Sequence, residues 1–392
     1  MAVDLGKQKP KLHRQLAMAG PWPMAVAFLA DGKLAAGDQD GRILIWDMAA
    51  APSSPVAGSK SQSAPSSTPI RMLVGHTNGV SRLCASPDGR RLYSASLDHS
   101  IRVWNLDSAT TGEAETIVEP QSEQDKKAKK PEPTVKVPTQ EAEKVLAGHG
   151  DWVSALALSA DGKRLISGDY GARVIVWDAA TGAEVVRWSG LPWNWIFAVA
   201  LTSDGGTALV SESRYKRDDF DVPAAAVRLW DATTGKEKLD LLKVQFPKYD
   251  PQAASYEASQ TWRKYVSHGI IAAAFSPDDK TVALAVAGEN DKGTAHLHDV
   301  ATGKLLRDLG SHQYGMTDVA FSADGRYVLT TGRDTCLRVT NVADGKEALQ
   351  LGAPRGGQFK DWFSACARSA DERYLAAADI AGWVQVWATD AK

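Results

Sequence analysis

The chain has 392 residues, of which 44% are hydrophobic and 23% are charged, and its formal net charge is −2 at pH 7. These values are typical of a soluble globular protein and lack the basic excess of nucleic-acid-binding proteins, so we expect no nucleic acid partner. Three cysteines without a CxxC pair argue against a disulfide framework or a zinc site. Neither a leader-like N-terminus nor a long apolar run is present, so we expect a cytoplasmic protein with no membrane partner.

One short turn recurs along the chain and orders the predicted elements. It reads LADG, SPDG, SADG, TSDG, SPDD, SADG and SADE at residues 29–32, 86–89, 159–162, 202–205, 276–279, 322–325 and 369–372. Asp-Gly between alternating apolar runs is typical of a hairpin, because glycine accepts the positive φ of such turns. A strand, a second turn and a strand ending near Trp-Asp follow, as in ILIWD (43–47) and VIVWD (174–178).

A unit of about 40 residues with four short strands is the signature of a propeller blade. The sequence resembles the WD-repeat family in these motifs, with GH at 75–76 before WN at 104–105, and GH at 148–149 before WD at 177–178. The resemblance implies an all-β fold, a single seven-bladed β-propeller of four-stranded blades. We expect residues 11–18 to complete the last blade and close the ring. The predicted blades lie near 20–47, 71–105, 145–178, 187–231, 266–299, 306–341 and 350–388.

Four inserts interrupt the predicted blades. Residues 48–69 and 107–143 are rich in Pro, Ser, Lys and Glu, so we expect flexible inserts, which the resemblance places on the bottom face. The run KKAKK within 107–143 is also compatible with a targeting or acidic-partner signal. Residues 212–225 and 243–267 instead contain aromatic and basic side chains, and the resemblance places them on the top face.

His76, Ser94 and Asp98 are residue types of a hydrolase triad, and Trp104 completes a set of four. No GxSxG surrounds Ser94, and the resemblance implies a structural tetrad that links the strands of one blade by hydrogen bonds. Other predicted blades carry incomplete sets, and in the third blade Gly171 occupies the expected aspartate position. The run HLH at 296–298 is an alternative metal pair that lacks a third ligand, so we expect no metal.

Trp22, Trp152, Trp195 and Trp362 each stand nine residues before the aspartate of the recurring turn. The same column holds Gly79, Gly269 and Gly315 in the other three blades, so core packing does not readily explain the tryptophans. The resemblance places the column at the top mouth of the central channel. Tryptophan is enriched at binding hot spots, which favours recognition, whereas capping of the channel is the alternative. The predicted partner-binding residues are Trp22, Trp152, Trp195, Trp362, Trp193, Arg214, Tyr215, Lys216, Arg217, Trp262 and Arg263.

These patterns favour a non-enzymatic scaffold that binds a protein or peptide on the top face, as a monomer or as a subunit of a larger complex. The sequence contains no phosphate-binding loop and no metal-spaced His/Cys cluster, so we expect neither an enzyme nor a cofactor. A small-molecule or carbohydrate site at the same mouth is the alternative, because indole rings also stack on apolar sugar faces.

Overall fold

The computed structural model describes residues 4–18, 22–50, 67–117, 134–192, 194–213, 225–246, 269–288, 292–354 and 362–389. Within these ranges the chain forms seven sheets arranged as blades, a 3₁₀ turn over Leu5–Lys7 and one short helix, α1, over Leu241–Gln245. Among the described residues, all strand pairs are antiparallel except the one between Arg71–Leu73 and Thr134–Gln140. The all-β class and the seven-bladed propeller predicted from the sequence are confirmed.

Each blade runs from an inner strand at the ring centre to an outer strand at the rim. Blade 7 receives its outer strand β1 (Lys11–Ala17) from the N-terminal region. Blade 1 contains β2 (Pro23–Phe28), β3 (Lys33–Asp38), β4 (Ile43–Asp47) and β5 (Arg71–Leu73), and is extended by β9 (Gly112–Ile117) and β10 (Thr134–Gln140). Blade 2 contains β6 (Val80–Ala85), β7 (Arg91–Ser96), β8 (Ile101–Asn105) and β11 (Lys144–Leu146).

The remaining blades take four consecutive strands, except for the shared closing blade. Blade 3 contains β12 (Val153–Leu158), β13 (Arg164–Asp169), β14 (Arg173–Asp178) and β15 (Glu184–Ser189), and blade 4 contains β16 (Trp195–Leu201), β17 (Thr207–Ser213), β18 (Ala225–Asp231) and β19 (Glu237–Asp240). Blade 5 contains β20 (Ile270–Phe275), β21 (Thr281–Val286), β22 (Gly293–Asp299) and β23 (Leu305–His312). Blade 6 contains β24 (Met316–Phe321), β25 (Tyr327–Gly332), β26 (Cys336–Asn341) and β27 (Glu347–Gly352), and blade 7 contains β28 (Phe363–Arg368), β29 (Tyr374–Asp379) and β30 (Trp383–Ala388) beside β1.

The ring is closed, as the sequence predicts. The inner strands contact one another in the cyclic order β2, β6, β12, β16, β20, β24, β28 and back to β2. Strand β1 pairs antiparallel with β30, from Lys11 opposite Ala388 to Ala17 opposite Trp383. Buried Arg14 on β1 donates to the Met48 carbonyl at 3.1 Å and also to the Ser67 hydroxyl, so one guanidinium joins blade 7 to blade 1. The closing blade is thus held by both its ladder and a side chain.

The recurring turn is held by its own side chains. In blade 3, the Ser159 hydroxyl donates to Asp161 at 2.7 Å and accepts the Arg164 N–H at 3.0 Å, while Gly162 adopts a φ of 72°. Two turns lack this glycine, and Asp279 and Glu372 adopt φ values of 58° and 57° there. Both residues bind the preceding blade, since Glu372 accepts the Ala323 N–H at 2.7 Å and Asp279 accepts the Ser203 N–H at 2.8 Å. These bonds between blades offset the strain of a positive φ.

The ends of the predicted 107–143 insert differ from the expectation of a flexible segment. Strands β9 and β10 pair antiparallel, and β10 pairs in parallel with β5 through Thr139 opposite Met72. Val137 is buried in the apolar cluster between blades 7 and 1. The Gln140 side-chain amide donates to the Asn105 carbonyl at 2.6 Å. The physical reason is that β5 has only three residues and leaves a sheet edge that a hairpin can cover. Residues 51–66 and 118–133 lie outside the described residues.

Candidate functional site

The tryptophan column surrounds one mouth of the central channel, which we call the top mouth. Trp195 begins the inner strand β16, and Trp22, Trp152 and Trp362 directly precede the inner strands β2, β12 and β28. The Trp22 and Trp152 side chains are 52% and 43% exposed, which is unusual for the largest apolar side chain. Trp195 and Trp362 are half-buried. The first two therefore expose indole surface to solvent, whereas the other two are partly covered.

Four aromatic residues of blades 3 and 4 form a continuous surface, which we call the aromatic platform: Trp152, Tyr170, Trp195 and Phe197. Tyr170 lies between the two tryptophans, with ring centroids 5.8 Å from Trp152 and 4.8 Å from Trp195, and is stacked on the latter at 11°. The Tyr170 N–H donates to the Trp152 carbonyl at 3.1 Å, which fixes the turn that carries the ring. Burial raises the pKa of Tyr170, so its hydroxyl stays protonated at neutral pH.

Tyr170 and Phe197 were not predicted from the sequence. Tyr170 follows strand β13 in the turn GDYGA, and Phe197 stands two residues after Trp195. The relevant signal is that the turn between the second and third strands reaches the same mouth as the start of the inner strand. A bulky aromatic residue in that turn was therefore a detectable candidate.

Trp362 has a different environment from the platform. The Arg333 guanidinium carbon lies 4.6 Å from the centroid of the Trp362 ring, within the range of a cation–π contact. The Arg333 N–H donates to the Gly315 carbonyl at 3.0 Å, so the arginine is anchored in the turn of blade 6. The top mouth therefore carries a positive charge on the side opposite the platform.

Seven of the predicted partner-binding residues lie outside the described residues, and their part in the site stays a prediction. They are Trp193, Arg214, Tyr215, Lys216, Arg217, Trp262 and Arg263.

The glycines of the column have a structural cause in two blades. Gly315 adopts a φ of 104°, and a Cβ there would stand 1.8 Å from the Ala287 carbonyl oxygen. Gly269 adopts a φ of 90°, and a Cβ there would stand 2.7 Å from the Ser213 hydroxyl. The contact with a backbone carbonyl excludes a side chain at Gly315, whereas a positive φ alone does not, since Trp22 of the same column has a φ of 60°. The glycine of blade 6 is therefore required by the backbone that it approaches.

Arg82 is another residue of the site that was not predicted from the sequence. Three residues after the column, the inner strands carry an alanine in five blades, and the two exceptions are Arg82 and Asp318. The alanines are Ala25, Ala155, Ala198, Ala272 and Ala365. Small side chains suit this position because the inner strands converge there, so a lone arginine in the same register was a detectable signal.

The Arg82 side chain extends into the channel and crosses it. Its Nη2 donates to the Ile271 carbonyl of blade 5 at 3.3 Å, and its Nη1 donates to the Ser81 carbonyl at 3.1 Å. Blades 2 and 5 are not neighbours in the ring, so the guanidinium lies near the axis. Arg82 therefore separates the top mouth from the channel beneath it.

A cavity of about 660 Å³ continues from Arg82 down to the recurring turns, including Pro277 and Ala323. Most of its lining is Ala, Val and Leu. Asp318 lies in its wall and accepts the Cys366 N–H at 2.9 Å, and burial raises the pKa of this carboxyl although the nearby Arg82 charge opposes the shift. Burial also raises the pKa of Cys84 to about 12, so this thiol is a weak nucleophile at neutral pH.

The His76, Ser94, Asp98 and Trp104 set forms one chain of hydrogen bonds. His76 Nδ1 is 2.7 Å from Asp98, its Nε2 is 2.7 Å from the Ser94 hydroxyl, and the Trp104 indole N–H donates to that hydroxyl at 2.8 Å. Burial opposes the charged form of Asp98, but hydrogen bonds from His76 and Ser100 outweigh it and lower the pKa. Ser94 is fully buried, so no substrate can reach its hydroxyl. The arrangement links strands and is not open for catalysis.

Blade 3 has the same chain of hydrogen bonds, with a different carboxylate from the expected one. Gly171 occupies the aspartate position expected from the sequence, whereas in the structure Asp169 lies 2.8 Å from His149 Nδ1. His149 Nε2 is 2.7 Å from the Ser167 hydroxyl, and the Trp177 indole donates to this hydroxyl at 2.9 Å. Asp169 is the last residue of strand β13, and the Arg173 N–H donates to its other carboxylate oxygen at 2.8 Å.

The histidines of HLH are already engaged in hydrogen bonds. His296 Nδ1 is 2.7 Å from Asp308, and His298 Nδ1 is 3.0 Å from the Gly303 carbonyl. Burial lowers the pKa of His298 to about 4, so it is neutral at physiological pH. Among the residues that the structure describes, no three His, Cys, Asp or Glu side chains are grouped to hold a metal ion. In the same residues, no helix has the length and apolarity needed to span a bilayer.

The closed ring of seven sheets, with its histidine–serine–tryptophan hydrogen bonds, defines a β-propeller built from sequence repeats. The family model "WD domain, G-beta repeat" matches residues 18–47, 67–105, 140–178 and 303–341. The four matched segments are WD repeats, and the seven-bladed ring agrees with the resemblance to WD-repeat proteins seen in the sequence.

Similar proteins share only part of their length with this chain. It is 27% identical over 233 residues to autophagy-related protein 16 of Arabidopsis thaliana, covering 57% of this chain and 45% of that protein. It is 28% identical over 224 residues to transcription factor unc-37 of Caenorhabditis elegans, covering 55% and 31%. It is 29% identical over 127 residues to the human U3 small nucleolar RNA-interacting protein 2, covering 32% and 22%. The chain therefore spans less than half the length of these relatives.

Proposed function

We propose that this propeller is a non-enzymatic scaffold that binds a protein or peptide segment at the top mouth. The observation that carries the proposal is the aromatic platform, in which Trp152 stays 43% exposed beside a stacked Tyr170–Trp195 pair. Large aromatic side chains at the centre of a contact contribute most of the binding free energy in typical interfaces. A partner that covers the platform would bury apolar area that the free protein leaves in water.

The platform is also rigid, which favours binding. Trp195 is paired within strand β16 opposite Ser213, and Tyr170 is held by its hydrogen bond to Trp152. A surface already fixed in its bound form loses little conformational entropy when a partner docks. The relatives support a scaffold, since the name of one of them describes an interacting protein. That name refers to an RNA, but the net charge of −2 favours a protein partner for this chain. A cytoplasmic location is likewise a proposal.

The test uses a displayed library of random linear peptides, from which the peptides that bind the intact protein are selected. Enriched peptides are then measured against Trp152→Ala and against the control Val145→Ala, which truncates a 48% exposed side chain on the outer strand β11. We expect Trp152→Ala to weaken binding by about 2 kcal/mol or more and Val145→Ala to leave it unchanged. Peptides that bind both variants equally, or a library that yields no binder, would overturn the proposal.

A further inference from the structure

We infer that the partner segment presents an acidic side chain, which enters the top mouth and pairs with the guanidinium of Arg82. The inference rests on the proposed function and names the chemistry of the partner. Three observations support it: the position of Arg82, the absence of an ion pair between Arg82 and any described carboxylate, and a second cation at the mouth.

The Arg82 guanidinium lies within reach of the top mouth. Its two carbonyl partners, Ser81 and Ile271, each stand two residues after the tryptophan column on their inner strands. The charge therefore lies about two residues below the level of the exposed indoles, which is about 7 Å at the rise of a strand. It is also close enough to Tyr170 of the platform to act on the pKa of that hydroxyl. An acidic side chain of a peptide lying on the platform can span this depth.

Arg82 has no acidic partner within the described part of the chain. Its side chain makes hydrogen bonds to two backbone carbonyls, and no carboxylate there lies within 4.0 Å of it. A guanidinium has five N–H donors, so three remain for a ligand. Asp318 is a nearby acid, but its carboxylate accepts backbone N–H groups from Cys366 at 2.9 Å and Val319 at 3.0 Å. A cation held in a narrow apolar channel without an ion pair favours binding of an anion.

A second cation lies at the same mouth. Arg333 lies over the Trp362 ring on the opposite side of the mouth from the platform. Asp151 is an acidic neighbour of Trp152, and its carboxylate accepts the Trp152 N–H at 2.7 Å. Arg82 on the axis and Arg333 at the rim are thus two cations of this mouth, whereas Asp151 is held by a backbone N–H and Asp40 in the turn of blade 1 is paired with Arg42. A basic side chain would meet two cations there, and an acidic one would meet two attractive charges.

The experiment uses the peptides selected on the intact protein and their Asp→Asn or Glu→Gln counterparts. Each pair is measured against wild type, Arg82→Gln, Arg82→Lys and the control Arg90→Gln, whose side chain is 73% exposed in the bottom turn of blade 2. We expect the acidic peptides to bind wild type at least about tenfold more tightly than their amide counterparts. Arg82→Gln should abolish this difference, Arg82→Lys should keep part of it, and Arg90→Gln should keep all of it.

Wild-type protein that binds acidic and amide peptides equally would overturn the inference, and this comparison needs no protein variant. Retention of the full difference in Arg82→Gln would overturn it as well. A thermal melt of each variant shows whether it is folded. Peptides that depend on Trp152 and not on Arg82 would leave the proposed function standing and reject the acidic partner. Peptides that depend on neither would reject both.

Discussion

Closure of the ring can be measured with two leucines of the same strand. Leu16 and Leu12 both lie on β1 and pair with β30, opposite Val384 and Trp387. Leu16 is fully buried in the cluster between blades 7 and 1, whereas Leu12 is 39% exposed. Truncation of a fully buried leucine to alanine costs about 2–5 kcal/mol, because contact area is lost and a cavity remains. Leu12→Ala keeps the ladder and removes a partly solvated side chain, so we expect at most about 1 kcal/mol.

The assay is urea unfolding of the intact chain, followed by tryptophan fluorescence, with the free energy of the first transition compared between variants. Leu16→Ala should lower it by at least about 2 kcal/mol more than Leu12→Ala does. Equal effects would refute the reasoning, because they would mean that the β1–β30 pair opens before the measured transition. A second check is limited proteolysis, in which Leu16→Ala should be cleaved earlier within residues 11–18.

Three further predictions concern the other elements. His76→Ala should destabilise blade 2 by about 1–3 kcal/mol in the same urea assay, because Ser94 loses a buried partner, and a hydrolase activity that disappears in this variant would contradict the structural interpretation. Replacing 51–66 and 118–133 with short Gly/Ser linkers should preserve the melting temperature, since these segments offer little apolar area to bury, and an insoluble product would count against this. Burial raises the pKa of Asp38 to about 6 from an ordinary 3.8. Between pH 4 and pH 6 the folded state therefore binds more protons than the unfolded state, so the unfolding free energy should fall as the pH rises from about 4 to 6. Asp38→Asn should remove this fall in the unfolding free energy. If urea titrations show the same pH dependence in Asp38→Asn as in wild type, the prediction is wrong.

The sequence predicted the parts of the structure that depend on local chemistry. The recurring turn fixes the register of every blade, because Ser159, Asp161 and Gly162 satisfy one another within four residues. The hydrogen bonds of His76 follow from the same register. Strand pairing between distant parts of the chain was harder to predict from the sequence. Nothing in the composition of 107–143 indicates that β10 would lie parallel to β5, since that pairing depends on an edge left open elsewhere in the chain.

In the site, too, local features could be predicted from the sequence and long-range contacts could not. The positions of Trp152 and Trp195 at the mouth were predicted from their shared offset to the turn together with the resemblance to WD-repeat proteins. That Tyr170 would stack on Trp195 depends on how two neighbouring blades meet, which the pattern of a single repeat does not include. Arg82 was not predicted because an arginine is an ordinary polar residue in the alternating apolar and polar pattern of a strand. Only comparison across the blades shows that it replaces an alanine, and only the ring geometry shows that it crosses the channel to Ile271.

The pairing of β1 with β30 has a consequence for how the protein is made. Lys11 lies opposite Ala388, so the first strand of the propeller to leave the ribosome pairs with the last strand of the propeller. Until then β1 has no ladder partner, and the apolar side chain of Leu16 lacks its cluster. Pairs so distant in sequence form slowly, and an unpaired strand edge is prone to join another chain. Co-translational folding should therefore leave an open ring until β30 has been synthesised, and exchange of β1 between two nascent chains is the expected route of misassembly.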